Sequence, residues 1–400
     1  MTSPKHYVPA LDAIRGIAIL GVFLFHSLGV AFEFDQLQWN GLFRDFATSK
    51  SFLLLYPLTY GSAGVAVFFV VSGFCIHLSY ATSSNKRWSY FANRRFFRIY
   101  PPYLFALLIF FFVWPWGSVS SFSFFRMAQL GSHLLAIHNL DGRSFFGINP
   151  SFWSIAVELQ LYAIYPLLVW LVGRLGWGRA IAVAAFVELS IRAYAGYHSV
   201  VLDETLPRWI TASPFAYWLS WSMGAFVAKC YINDESSLLS SVSPTALAIV
   251  SFGMPLFKPT AAFGFLAFAL LTSAVIAQIV AGRIRLDPKN LFYRHLSKLG
   301  VVSFSFYLIH QPILFLFPRF LRSASPELHI HPLVAFSCLL LFYPVILWAS
   351  KLMFDYVEMP SVSLGRAFWR WRERANHPMQ PSGEVGSIDM VDLSSPPADR

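Results

Sequence analysis

Charge is scarce in this chain. Asp, Glu, Lys and Arg supply 12 % of its 400 residues, where soluble domains carry about 25 %. That excludes the two or three soluble domains that length alone would allow. Cysteine is scarcer still, with Cys75, Cys230 and Cys338 only. Three is an odd number, and all sit inside apolar stretches without paired spacing, so neither a disulfide framework nor a zinc site is implied. No Walker loop and no G-x-S-x-G elbow occurs, which leaves no motif for a nucleotide cradle or a nucleophilic serine.

Apolar residues are what the chain has in excess. They make up 56 %, with 41 Phe, 17 Tyr and 13 Trp, and the mean hydropathy is +0.55. Such a surface faces lipid. A membrane span needs roughly 20 apolar residues, and the sequence offers about ten candidates, at 11–33, 52–79, 99–115, 152–173, 179–197, 213–232, 243–257, 260–281, 300–318 and 331–356. The expected fold is an all-α, polytopic membrane helix bundle. The segment 127–138 is apolar but short, suited to a dip or a surface helix. The first stretch is interrupted by Asp12, Arg15 and His26 and lacks a small-residue cleavage site, so it reads as a retained span.

The net charge of +10 is topological. With the N-terminus placed in the cytoplasm, 18 Lys and Arg fall in inner segments and 8 in outer ones. This bias places both termini in the cytoplasm, and no nucleic-acid partner is needed to explain the basic excess. Residues 1–360 read as one membrane domain, and 361–400 as a cytoplasmic tail of disordered composition.

Ionisable side chains inside spans are costly, so they mark protein interiors or wet cavities. Arg15 and His26 are eleven residues apart, about 20° past three helical turns, hence on one face and roughly 16 Å apart. Glu158 lies roughly 9 Å below the outer edge of the fourth span and His26 roughly 22 Å up a core of about 30 Å. Their depths match, so they are candidates for an acid–base pair. Tyr162 and Tyr165 follow Glu158 on the same face. Arg94, Arg95 and Arg98 crowd the inner edge of the third span. They suit either a positive-inside anchor or a phosphate site. His310 lies within the ninth span, beside Gln311 and a helix-loosening Pro312. It suits an interhelical tie as well as a functional site. His77 reads as structural. No histidine has metal-ligand spacing with a carboxylate, so no metal is expected.

Five blocks occur in order: YVPALDAIRGIAILGVFLFHS, GSAGVAVFFVVSGFCIH, RRFFRIYPPY, SFWSIAVELQLYAIYPLL and SFSFYLIHQPI. In this order they resemble the acyltransferase 3 family of integral membrane proteins, over roughly residues 7–358. The resemblance implies transfer of an acyl group, commonly acetyl, from cytoplasmic acyl-coenzyme A to a hydroxyl. The implied acceptor is a sugar of an envelope or secreted glycan, or a glycoside, and the implied setting is the bacterial cytoplasmic membrane. Residue by residue it matches Arg15 and His26, with His26 as the essential catalytic residue, and Glu158, Arg95, Arg98 and His310 to the family's blocks; a cytoplasmic donor then brings its phosphates to Arg95 and Arg98, with Arg15, and Tyr162, on the face of Glu158, is a pocket candidate beside His310. Acyl-coenzyme A is a co-substrate, and no tightly bound cofactor is expected. The extracytoplasmic hydrolase-like domain of some members is not in this sequence.

Two mechanisms stay open at this point. His26 acts as general base with Glu158 orienting it, or His26 is acylated first. A proton-coupled transporter or flippase using the His/Glu pair is the rival class. It leaves the arginines as anchors, and no internal repeat of transporter type occurs. Trp39 and Trp116 are candidates for sugar stacking, a use that competes with membrane-interface belts.

Overall fold

Backbone polar groups in hydrocarbon must bond within their own segment, so apolar runs of this length cross as helices. The computed structural model describes residues 7–34, 39–40, 43–44, 50–112, 123–324 and 330–376. Among them the β structure is limited to a two-residue antiparallel pairing of Trp39–Asn40 with Phe43–Arg44. Seven helical stretches are long and apolar enough to cross a membrane: Ala10–Ala31, Leu53–Ala81, Trp88–Phe112, Phe152–Leu202, Ala261–Val280, Ser303–Leu321 and Pro332–Ala375. The protein is an all-α, multi-pass membrane bundle.

The difference between seven stretches and the ten expected segments has a physical origin. Phe152–Leu202 has 51 residues, about 77 Å of helix against a hydrocarbon core of about 30 Å. It breaks at Gly176, whose φ of 77° only glycine adopts freely, and the two arms correspond to the expected fourth and fifth spans. The expected sixth and seventh are helical but shorter, at Trp218–Ile232 and Pro244–Gly253. The third helix starts eleven residues before its expected span, at Trp88. Its basic cluster is therefore helical and not part of a loop. The apolar segment near 127–138 becomes a helix, Phe124–Leu134, capped by Ser123.

Helices used below are α1 (Ala10–Ala31), α2 (Gly64–Ala81), α3 (Trp88–Phe112), α4 (Phe124–Leu134), α5 (Phe152–Tyr197), α6 (Trp218–Ile232), α7 (Pro244–Gly253), α8 (Gly264–Val280), α9 (Leu291–Val301), α10 (Ser303–Leu314), α11 (Pro332–Leu340), α12 (Phe342–Met353) and α13 (Met359–Asn376). With no hydrophobic drive between helices in lipid, close packing depends on small residues at crossings. Helices α2 and α6 meet backbone to backbone there: a Cβ on Gly224 would overlap the Val70 carbonyl, and one on Gly73 the Trp221 carbonyl. Gly16 and Gly300 do the same for α1 and α9.

The fifth crossing holds a buried ion pair that sequence reasoning passed over. Arg192 meets Glu188 at 2.7 Å and donates to the Ala262 and Ala216 carbonyls at 3.0 Å each. Glu188 also accepts from the Ser220 backbone and hydroxyl, at 2.9 and 2.6 Å. Every strong polar group is paired, so this is a structural tie of α5 to α6 and to the turn before α8. Its signal was present as an acid and a base one helical turn apart in an apolar run.

The expected domain boundary at 360 falls next to the start of a helix. Helix α12 passes through a π-helical turn, Phe354–Glu358, into α13, which lies along α3. Asn93 Nδ2 donates to the Gly365 carbonyl at 2.9 Å, and Phe97 packs on Phe368 at 5.9 Å. Residues 361–376 thus belong to the packed body, while 377–400 lie outside the described residues.

Candidate functional site

At the arginine-bearing end of the bundle, two adjoining spaces that share lining residues lie between α1, α2, α3, α5, α9, α10 and α13. The outer vestibule, about 630 Å³, is lined by Arg15, Arg94, Arg95, Arg98 and Arg366 with Tyr90 and the hydroxyls of Ser79 and Thr82–Ser84. The inner cavity, about 370 Å³, shares Arg15, Arg95 and Arg98 and runs on past Glu158 and Tyr162 to Phe68, Ser154 and Tyr307. Arg366 comes from α13, a segment that composition alone had placed in the tail.

Carboxylates position two of these arginines. Asp12 accepts from Arg15 at 2.8 Å, and Arg15 also reaches Cys75 Sγ at 3.0 Å. The Tyr7 hydroxyl donates to the same Asp12. That bond, with burial, pushes the Tyr7 phenol up to about 12, so it remains a donor at neutral pH. Arg98 stands 3.7 Å from Glu358, a fully buried carboxylate that accepts from Ser305 at 2.8 Å. Sequence reasoning missed Asp12, Glu358, Cys75 and Tyr7, since only packing brings them to the arginines. Arg95 lies 5.8 Å from the centre of the Phe91 ring, and its buried Nε has no partner among the described residues.

Glu158 does not meet His26. Within the described residues it accepts a hydrogen bond from Tyr162, one turn further along α5, and the Tyr162 hydroxyl also lies 3.1 Å from Ser72. Equal depth in the membrane did not imply a shared azimuth. His26 instead pairs with His310, with His26 Nδ1 2.9 Å from His310 Nε2. His310 Nδ1 lies 2.8 Å from the Tyr307 carbonyl. A carbonyl only accepts, so His310 carries its proton on Nδ1 and its Nε2 is the acceptor in the uncharged pair. His26 must then donate from Nδ1, which leaves its Nε2 lone pair free. His310 is fully buried, whereas His26 is half-buried, next to Phe25 and Phe34.

Pro312 helps to set this geometry. Lacking an N–H, it leaves the Leu308 carbonyl without its helical donor, and Asn149 Nδ2 fills the place at 2.8 Å. Ser151 donates to Gln311 Oε1 at 2.5 Å. The turn before α5 therefore grips α10 on both sides of His310. Tyr307 belongs to both regions: it lines the inner cavity with its ring 5.9 Å from Phe68, and its hydroxyl lies 2.7 Å from Ser154. Its carbonyl holds the histidine pair behind it.

His77 contacts the Tyr165 hydroxyl at 2.9 Å and stands edge-on to Trp177, away from both spaces. Among the described residues, no three His, Cys, Asp or Glu side chains gather around one point. Trp116 and the side chain of Trp39 lie outside the described residues.

A basic vestibule beside a membrane-embedded cavity is the site of a multi-pass membrane protein, and the family match makes that protein an enzyme of the acyl-transfer class. The family described as an acyltransferase domain matches residues 8–351, and the chain belongs to this acyltransferase 3 family. It is similar to the acyltransferase MdmB of Streptomyces mycarofaciens, 27 % identical over 76 % of this chain and 78 % of that one. It is also similar to the putative peptidoglycan O-acetyltransferase YrhL of Bacillus subtilis, at 24 % identity over 92 % of this chain and 57 % of the relative. A third relative is the O-acetyltransferase OatA of Staphylococcus aureus, at 25 % identity over 78 % and 51 %. The chain thus spans little more than half the length of the last two. No solved structure matches it.

Proposed function

We propose that the protein is an O-acyltransferase of the bacterial cytoplasmic membrane. It takes an acyl group, most simply acetyl, from cytoplasmic acyl-coenzyme A and transfers it to a sugar hydroxyl of an envelope glycan or a glycoside. The observation that carries this reading is the His26–His310–Tyr307 chain of hydrogen bonds, whose Tyr307 also lines the inner cavity adjoining the arginine-lined vestibule. The O-acetyltransferase relatives support the same chemistry.

Arg15, Arg95 and Arg98 meet the donor's pyrophosphate, and the pantetheine arm enters the inner cavity. The acceptor hydroxyl approaches His26 from the opposite side. His26 Nε2 takes the hydroxyl proton as the oxygen adds to the thioester carbonyl. The tetrahedral adduct then collapses, the C–S bond breaks, and the departing thiolate takes that proton back from His26. His310 orients the ring and accepts the Nδ1–H of the imidazolium formed in between. Access of the thioester to His26 requires Tyr307 and Phe68 to part. Glu158, bonded to Tyr162 at the cavity wall, holds the donor channel's polarity and does not orient His26.

The test uses full-length protein in nanodiscs with radiolabelled acetyl-coenzyme A, with and without a sugar acceptor. Wild type is expected to hydrolyse the thioester slowly and transfer label to the acceptor; His26→Ala is expected to do neither while still folded, with a cooperative melt lowered by no more than the stranded His310 acceptor accounts for. Label retained on the wild-type protein would favour an acyl-imidazole intermediate. Activity surviving in His26→Ala removes His26 from the chemistry, and proton-coupled substrate movement without thioester use would return the transporter reading.

A further inference from the structure

The acyl-coenzyme A reading is the ground for this inference, and its central residue, Arg366, lies beyond the family match, which ends at 351. We propose that Arg366, together with Arg94, binds the 3′-phosphate of the donor's nucleotide, so that α13 is a wall of the donor site.

The lining of the two spaces separates the arginines into two sets. Arg15, Arg95 and Arg98 face both the vestibule and the inner cavity, which places them at the neck. Arg94 and Arg366 face the vestibule alone. A coenzyme A threaded through the neck by its pantetheine arm leaves its pyrophosphate there. The 3′-phosphate branches from the ribose away from that arm and so stays in the vestibule. Tyr90 and Phe97 line the same space, which gives the adenine aromatic surroundings.

Charge balance points the same way. Arg15 and Arg98 already face Asp12 and Glu358. Among the described residues no carboxylate pairs with Arg366, which reaches only the Ser363 hydroxyl at 3.2 Å, or with Arg94, whose guanidinium stands 5.6 Å from the centre of the Tyr90 ring. Two cations without carboxylate partners on one wall suit a dianionic phosphate.

The sequence builds this wall deliberately. Helix α13 comes close to α3 at Gly365, where an added Cβ would lie 2.6 Å from Phe97 Cβ. Asn93 clamps the Gly365 carbonyl, and Tyr90 packs on Trp369 at 5.0 Å. The neighbouring residue, Arg366, is thereby held over the vestibule.

The experiment compares acetyl-coenzyme A with its 3′-dephospho analogue as donors for the full-length protein in nanodiscs. Wild type is expected to prefer acetyl-coenzyme A, and Arg366→Gln to lower the ratio of the two kcat/KM values by about tenfold through KM. Arg366→Lys should restore part of that preference. Arg95→Gln, at the neck, should weaken both donors. Equal loss for both donors in Arg366→Gln, or a wild type indifferent to the 3′-phosphate, overturns the proposal while leaving the acyl-coenzyme A reading intact. A wild type that binds and uses neither donor overturns that reading and this proposal with it.

Discussion

His26 Nδ1 and His310 Nε2 lie 2.9 Å apart, joining helices 284 residues distant in sequence. Because the Tyr307 carbonyl commits the His310 proton to Nδ1, the pair is directional, and the free lone pair falls on His26 Nε2. On the proposed mechanism His310→Phe should lower kcat by about 10²–10³-fold with a smaller change in KM. Steady-state kinetics of purified protein checks this, and an unchanged kcat would show that the ring of His310 is only a packing element.

Asn149 replaces the donor that Pro312 denies to the Leu308 carbonyl. Asn149→Leu should cost about 1–3 kcal/mol of stability, the usual penalty for stranding a buried acceptor, and reduce turnover by displacing His310. Pro312→Ala restores the helical N–H. The double variant should therefore be more stable than Asn149→Leu alone, as read from melting temperatures in detergent.

Helix crossing at Gly73 and Gly224 leaves no room for a methyl group, since each Cβ would meet the facing carbonyl backbone. Gly224→Val should fail to give folded protein, or melt far below wild type, because backbone cannot yield as a side chain can. Gly131→Ala, where an added Cβ meets nothing, is the control and should be tolerated. Size-exclusion profiles and thermal melts distinguish the two.

Breaking the buried Glu188–Arg192 pair strands a charge. Arg192→Met should destabilise by about 3–5 kcal/mol without altering the donor preference, because neither residue lines the vestibule or the inner cavity. The measurement is a chemical or thermal melt beside acetyl-coenzyme A kinetics.

Outside the spans, His133 and His138 stack at 3.8 Å with rings 4° from parallel. Burial, then the charge of its neighbour, holds His138 down to about 2; in His133 the Gln129 and Gly147 carbonyls, 2.7 and 2.8 Å from its two ring nitrogens, oppose burial. The folded value of His138 lies below the unfolded one of about 6.5, so the unfolded chain binds more protons as pH falls through 6.5. The contribution of His138 to stability is therefore expected to be full above that pH and to decline towards pH 4, with about 2 kcal/mol lost by pH 5. Melting temperature against pH checks it, and His138→Gln should flatten the acid limb.

Hydropathy and the placement of Lys and Arg made the multi-pass helical character legible from the chain alone. So did the ordered blocks that mark the family, and the basic cluster from Arg94 to Arg98. These properties are one-dimensional: burial in lipid follows from local composition, and depth follows from a fixed rise per residue. Rotation of each helix about its axis is different, because it is set by which side chains and carbonyls interlock at crossings such as Gly73 with Trp221. Tertiary packing therefore decided that His26 faces His310 while Glu158, at a similar depth, turns to Tyr162. It also decided that Asp12 and Glu358 hold arginines, and that a segment reading as polar tail folds back along α3 to bring Arg366 to the vestibule.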